Sequence, residues 1–485
     1  MKVSPVSASD STERTRRVPP RTVTHVPRED RAAKGKAARH AVPLASHAML
    51  DTSLDRPDPI DMLVGQAISR VPELVPIRYG RMSTSAFAFY RGAPLVMASD
   101  LSRTPSPGLR TQLCGDAHLS NFGVFGSPER NLLFDLNDFD ETAPGPFEWD
   151  VKRLAASLEI AGRGNQFKAK ERRAAVVATV QSYRESMRAF AKEGNLEVWY
   201  ARLDVDQAMH DIRSKLSIEA VRRVDATLAK ARTRDSMNEW EKLTTKVNGR
   251  ARIVGDPPRI ETIDELFPDR DRDEVMSEMR TLIRSYRSSL QPDRRYLLEQ
   301  YQLVDMARKV VGVGSVGTRC WILLLEGLDG GDPLFLQAKE AQASVIEGFV
   351  GIKHRGQAGL RVVNGQRLMQ AASDIFLGWQ QVDGADGVRR DFYLRQLRDW
   401  KASLLPEQMV PTGLTVYGQM CGWTLARAHA RSGDRVSIAA YLGRKDTFDH
   451  AIADFAESYA DQNEKDHAKL LAGISEGRVE ARLGL

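Results

Sequence analysis

The sequence predicts an α+β protein of two lobes, the helix-rich lobe first and the β-rich lobe second. Two observations carry this. From "EWDVKRLAASLEIAGRG", which begins at Glu148, to about residue 300, long helix-favouring segments dominate. From Ala307, "ARKVVGVGSVGTRCWILLLEGLDGGDPLFLQAKEA" reads as strand, Gly-rich turn, strand, wide turn and strand, an antiparallel arrangement. A chain of 485 residues, 42% of them apolar, can bury a core in each lobe.

The elements follow in order. Residues 1–55 are rich in Arg, Ser, Pro and Ala. A stretch such as "STERTRRVPPRTVTHVPRED" buries too little apolar area to offset its ordering entropy, so a disordered basic arm is expected there. Residues 56–300 read as the helical lobe, opened by a short helix in "PIDMLVGQAISRVPEL" and the aromatic stretch "SAFAFYRGAPLVMASDL". Two short strands, "NFGVF" and "NLLFDL", then lead into an acidic loop. Residues 301–410 form the β-rich lobe, with a further strand at "RDFYLRQLRD". In residues 411–485, "GLTVYGQMCGWTLARAHARSG" and "DTFDHAIADFAESYADQNEKDHAKLL" have helical spacing and are expected to pack on the first lobe. No repeat of solenoid period is visible.

Composition narrows the function classes. The net charge of +6 is small beside 70 basic and 64 acidic side chains, a weak pointer to an anionic partner such as a nucleotide, nucleic acid or phosphorylated metabolite. Nucleic-acid contact is expected only through the basic arm. Cys114, Cys320 and Cys421 are far apart and form no CxxC pair, which argues against a disulfide framework or a zinc ribbon and for a reducing cytoplasm. The first residues lack the apolar core of a secretory signal, and no stretch approaches the roughly 18–20 apolar residues of a membrane span. A cytoplasmic protein without membrane contact is expected.

The segment "QLCGDAHLSNFGVFGSPERNLLFDLNDFDET" sets Asp116, Asn121, Asp135, Asp138 and Asp140 beside apolar runs. Surface turns also collect such residues. Near a core edge, however, an unpaired charge is costly and a cation or positive partner is wanted. Phosphoryl transfer needs one carboxylate to accept the proton of an attacking hydroxyl, and an amide oxygen with another carboxylate to hold Mg²⁺. His118 has no second histidine nearby, and a His-poor, oxygen-rich set favours Mg²⁺ over zinc.

"GVGSVG" matches G-x-G-x-x-G through Gly312, Gly314 and Gly317, with Ser315 between them. A dinucleotide fingerprint would open a helix here, whereas "TRCWILLLEG" continues as a strand. Strand, glycines, strand is the arrangement of a kinase loop that covers phosphates. Such a loop predicts a lysine on a following strand, and "LFLQAKEA" supplies Lys339. Its ammonium needs an anionic partner. Glu347 in "ASVIEGF" is the expected one and Glu340 the second candidate. Arg91 in "FAFYRGAP" suits a phosphate or substrate contact and a structural role equally.

These motifs resemble protein-kinase-like phosphotransferases of the aminoglycoside and choline kinase type. Their segments H-G-D-x-H-x-x-N, "IDFD" and "DLA" look like "CGDAHLSN", "FDLNDFDE" and "WDVKRLA" here, with Cys114 in place of the usual His. The resemblance implies Asp116 as catalytic base, Asn121 and Asp138 as Mg²⁺ ligands, and Asp150 as a loop anchor. Asp135 stays a further candidate ligand. The chain also resembles the domain of unknown function 2252 family over roughly residues 60–465, through "FAFYRGA", "LCGDAHLSNFG", "DLNDFDET", "KVVGVGSVGTR", "QRLMQAASDIFLGW" and "RQLRDWK".

Ordinary kinases run from glycine loop through lysine to catalytic loop. Here Asp116 precedes Gly312 by almost 200 positions. The resemblance therefore implies a circularly permuted, two-lobed kinase-like fold, and "GWTLARAHARSG" resembles the "LARLHA" helix that precedes the catalytic loop in aminoglycoside-type kinases. Lys339 and Asp138 should then face one cleft beneath residues 312–317, with the helix around Leu425 near Asp116. The expected activity is ATP- and Mg²⁺-dependent transfer of a γ-phosphoryl group to a small-molecule hydroxyl. A nucleotide-binding regulator without turnover and a metal-dependent phosphohydrolase are the alternatives.

Overall fold

The computed structural model describes residues 25–484 apart from 54, 216, 217, 353, 355, 385 and 398. Residues 1–24 of the expected arm lie outside the described residues. The rest of that arm departs from expectation, because Arg28–Ala41 is a helix. Its small residues let it lie close to the helix Arg435–Leu442, where a Cβ on Gly35 would stand 2.1 Å from the carbonyl oxygen of Ser437. Arg31 pairs with Asp434 at 2.6 Å across this contact. Close packing and an ion pair offset the ordering entropy that composition alone could not.

Four long helices make the main body: Phe147–Gly164, Ala169–Phe190, Pro411–Ser432 and Thr447–Ser475. Nearly every residue of Phe147–Gly164 is buried, including Asp150 and Arg153, so its charges must find partners inside the protein. Gly418 and Gly422 let Pro411–Ser432 cross tightly over Ala169–Phe190. A Cβ at either position would fall 2.1 Å from Thr179 Oγ1 or 2.3 Å from its carbonyl oxygen.

The strands expected at "NFGVF" and "NLLFDL" are β2 and β3. Strand β1 (Arg110–Leu113) precedes β2 (Phe122–Gly126) and β3 (Leu132–Leu136), and β4 (Ala143–Pro146) follows. β1 pairs antiparallel with β4, and β2 with β3. The short β5 (Leu203–Asp204) borders β3. Because the two ladders are interleaved along the chain, the loops 114–121 and 137–142 emerge side by side.

A small hairpin, β6 (Thr244–Val247) and β7 (Arg250–Ile253), precedes the large sheet. That sheet holds β8 (Ile260–Thr262), β9 (Tyr301–Lys309), β10 (Cys320–Gly327), β11 (Pro333–Ala341), β12 (Gly378–Asp383) and β13 (Arg389–Gln396). Its order is β12-β13-β11-β10-β9-β8, with neighbours antiparallel. The architecture is α+β.

The helix Arg272–Tyr286 shares a core with Leu336, Ala338 and Leu394 on one face of the sheet. β7 and the helix Ser236–Leu243 cover part of the other face. The lobe boundary expected at 300 therefore falls too late. β8 pairs with β9, and residues from about 236 onward pack with the sheet, because the edge strand and both covering layers precede β9 in sequence.

Candidate functional site

The loop after β1 is fixed by the first turn of Phe147–Gly164. Asp150 accepts the backbone N–H of Cys114 at 2.7 Å and of Gly115 at 3.0 Å. Gly115 has φ +83° and no room for a Cβ, which would stand 2.0 Å from the carbonyl oxygen of Glu141. His429, on Pro411–Ser432, contributes Nε2 at 3.2 Å from Asp150, and Tyr417 donates its hydroxyl to the carbonyl of Leu119 at 3.1 Å. The helix around Leu425 thus packs beside the Asp116 loop, as expected.

Within the loop, Asn121 Nδ2 donates to the carbonyl oxygen of Asp116 at 2.7 Å. Asp116 Oδ1 accepts Arg153 Nε at 2.8 Å and Nη2 at 2.6 Å. Burial raises the Asp116 carboxyl above its ordinary value although Arg153 pulls the other way. His118 lies 3.6 Å from Asp116 Oδ2; burial, with the charges of Arg91 and Arg153, holds it well below the usual histidine range and keeps it neutral.

The acidic loop meets β11. Lys339 Nζ stands 2.6 Å from Asp140 Oδ2 and 3.5 Å from Asp138 Oδ2. Asp140 Oδ1 accepts the Tyr393 hydroxyl at 2.6 Å, and its Oδ2 accepts Ser315 Oγ at 3.2 Å. Burial would raise the Asp140 carboxyl, but the charge of Lys339 and the hydrogen bonds from Lys339 and Tyr393 hold it down at about 2. Burial likewise opposes the Lys339 charge, and Asp138 and Asp140 overcome it, leaving the ammonium well above its ordinary value. Next door, burial pushes the Glu141 carboxyl up to about 7 even though it accepts the N–H of Val345 at 2.7 Å.

These parts enclose one cavity of about 260 Å³, lined by Asp116, Asn121, Asp138, Asp140, Gly312, Gly314 and Ser315. The glycine segment is the β9–β10 turn. Val316 is buried against Val71, Leu74 and Ile77, and the carbonyl of Gly317, at φ +89°, accepts the N–H of Val71 at 2.7 Å. Arg91 also lines the cavity, and its buried Nε has no hydrogen-bond partner among the described residues.

Four expected site residues do not line this cavity: Gly317 packs beside Val71, Lys339 is buried behind Asp140, and Asp135 and Glu347 have other partners. Asp135 is fully buried and its oxygens are taken: Oδ1 accepts the N–H of Leu136 at 2.9 Å and an Arg427 guanidinium N–H, and Oδ2 accepts the N–H of Ala371 at 2.8 Å. It anchors Pro411–Ser432 to β3 and does not line the cavity of Asn121 and Asp138. Glu347 does not meet Lys339, whose ammonium is committed to Asp138 and Asp140. Glu347 instead stands 3.6 Å from Arg361 Nε and accepts the N–H of His354 at 3.0 Å. Glu340, the second candidate, pairs with Arg319 at 3.3 Å.

Sequence reasoning missed Arg153, Tyr393 and Arg70. Arg153 stands three residues after Asp150, one turn on in the same helix, so the two face the same loop; that spacing was the available signal. Tyr393 is the register partner of Lys339, which no local pattern reveals.

Among the described residues, no group of three or more His, Cys, Asp or Glu side chains is arranged to hold a metal ion, and no helix is long and apolar enough to cross a membrane. No curated protein and no solved structure matches the chain. A family model described as an uncharacterized protein conserved in bacteria, DUF2252, matches residues 70–472. With most of its length covered in this way, the chain belongs to the DUF2252 family.

Proposed function

We propose that this protein is a kinase-like phosphotransferase that moves the γ-phosphoryl group of ATP to the hydroxyl of a small molecule. The observation that carries the reading is the cavity in which Asp116, Asn121, Asp138, Asp140 and the glycine turn converge. Lys339 is buried behind that wall, 2.6 Å from Asp140. Phosphoryl transfer needs this set together and little else, since positioning and charge neutralisation supply most of the catalysis.

The order of parts in the large sheet supports it. The glycine turn joins β9 and β10, the lysine stands on β11, and the helix Ala358–Met369 comes before β12. A kinase nucleotide lobe presents its glycine loop, lysine and following helix in that sequence. The permuted order has support at the other end. Ser432 Oγ lies 2.6 Å from Thr111 Oγ1, so the end of Pro411–Ser432 meets the start of β1, and a chain running on from 432 into 110 would restore the usual order.

In this reading Asp116 accepts the proton of the acceptor hydroxyl as its oxygen bonds to the γ-phosphorus and the bond to the β-phosphate oxygen breaks, releasing ADP. Arg153 orients that carboxylate, and burial raises its basicity. Mg²⁺ typically takes one or two protein oxygens plus substrate phosphates. Asn121 and Asp138, both on the cavity wall, fit that set, since Asn121 gives an amide N–H to the Asp116 carbonyl and its amide oxygen is the group that could ligate. The bound ion would neutralise charge on the phosphates.

Thermal shift with ATP and Mg²⁺ tests the reading. The parent protein should gain several degrees at saturating ligand, and Asp138→Ala should lose that gain while remaining folded. No gain in the parent would remove the proposal.

A further inference from the structure

The cleft face of the large sheet is divided. At one end, Lys339 stands in register with Cys320 on β10 and Tyr393 on β13. Farther along β9, β10 and β11 the same face carries Ala307, Ile322, Leu324 and Phe335. These four are between 0% and 2% exposed, because Ala251, Ile253, Trp240 and Leu243 close over them in one apolar cluster. The cover is tied down, since the N–H of Ile253 donates to Asp305 Oδ2 on β9 at 2.7 Å. A planar base could reach this apolar face only if the β6–β7 hairpin lifted away.

The open space lies on the other side of Lys339. The cavity of Asp138 and Ser315 shares Arg70, Glu340, Ala341, Gln342 and Ala343 with a second cavity of about 680 Å³. Arg319, Arg389 and Arg390 line this second space. Their in-plane N–H groups are held by Glu340, Asp383 and Asp386. Paired in this way, a guanidinium keeps its flat faces for stacking on a heteroaromatic ring. Arg70 stands at the join, 8% exposed; it donates through Nη1 to the carbonyl of Val316, while its buried Nε has no hydrogen-bond partner among the described residues. That donor is placed for an anion passing from one cavity to the other.

We propose that a nucleoside triphosphate lies with its phosphates in the cavity of Asp138 and Ser315 and its base in the arginine-lined cavity beyond Arg70, and not on the apolar face of the sheet. The inference rests on the phosphotransferase reading for the phosphate end, and is independent of it for the base.

Two measurements test it. Photolabelling with 8-azido-ATP and Mg²⁺, followed by peptide mapping, should give ATP-competed label within residues 68–70, 340–343 or 388–391. Ser69 is exposed, lines only the second cavity and donates to Gln342 Oε1 at 3.0 Å, so Ser69→Trp fills that space without disturbing a core. It should weaken ATP roughly tenfold or more, the scale of one lost base stack, and leave inorganic tripolyphosphate binding unchanged. ATP-competed label within residues 240–253, 320–324 or 395–397, with Ser69→Trp binding ATP normally, would overturn the base site and leave the phosphotransferase reading intact. Binding of neither ATP nor tripolyphosphate by the parent would remove both.

Discussion

Lys339 Nζ bridges Asp140 and Asp138, at 2.6 and 3.5 Å, across a separation of 199 residues between Lys339 and Asp140. One buried ammonium thereby ties the large sheet to the loop that follows β3. Its removal strands Asp140 beside the cavity with Tyr393 and Ser315 as its side-chain donors among the described residues.

Lys339→Met should lower stability by roughly 3 kcal/mol, the lower end of what breaking a buried pair costs, because Asp140 keeps some contact with the cavity. Urea unfolding of the two proteins measures the difference. The Lys339→Met, Asp140→Leu double variant should recover part of it. A double variant no better than the single one would mean that the pair is not the source of the loss.

Acid should weaken this contact. The Asp140 carboxyl titrates at about 2 in the folded protein, below its ordinary value, so its contribution is full above about pH 4 and is lost as the pH falls toward 2. The stability gap between the parent and Asp140→Asn should be widest at pH 5 and narrow on acidification. A gap independent of pH would show that charge is not what holds the site together.

Glu141 has the opposite sign. Its folded value of about 7 lies above that of an exposed glutamate, so the folded state favours the protonated form and loses stability as the pH rises from about 4.5 to 7. Glu141→Gln should match the parent near pH 4 and exceed it at pH 8, by denaturant midpoint at each pH.

The assignment of Asp135 to structure makes a separate demand. Arg427→Leu leaves a fully buried carboxylate without its guanidinium and should cost about 3–5 kcal/mol. At temperatures where that variant stays folded, its affinity for ATP and Mg²⁺ by calorimetry should equal the parent's. A milder change, Asp135→Asn, should show the same division between stability and binding.

Turnover depends on Asp116 in a different way. Asp116→Asn keeps an oxygen for Arg153 but cannot take a proton, so transfer to an acceptor should slow by roughly 10²–10⁴ with ATP binding retained. Loss of binding in parallel with rate would indicate that the residue shapes the pocket only.

The local pattern was enough for β2, β3, the β9–β10 turn and the strand of Lys339, because alternation and glycine placement act over a few neighbours. Partner choice was not legible in the same way. Whether Glu347 or Asp140 meets Lys339 is decided by how β11 and the loop after β3 dock, a relation between segments 199 residues apart. Asp135 and Asp138 look alike in "FDLND", yet one points at Arg427 and the other lines the cavity, since the strand ends between them. The helix Arg28–Ala41 was hidden because its stability comes from a close fit on Arg435–Leu442 rather than from its own apolar content.

The contact between Ser432 and Thr111 has a consequence for the protein's birth on the ribosome. β1 is made well before the helix that abuts it, and Asp140 waits 199 residues for its lysine. At ordinary elongation rates that wait is roughly 10–40 s, during which a nascent chain carries uncompensated carboxylates and an uncovered strand. A message cut short between the codons for Asp140 and Lys339 would release a polypeptide with an acidic loop and no lysine to pair with it, a ready client for chaperones and proteases.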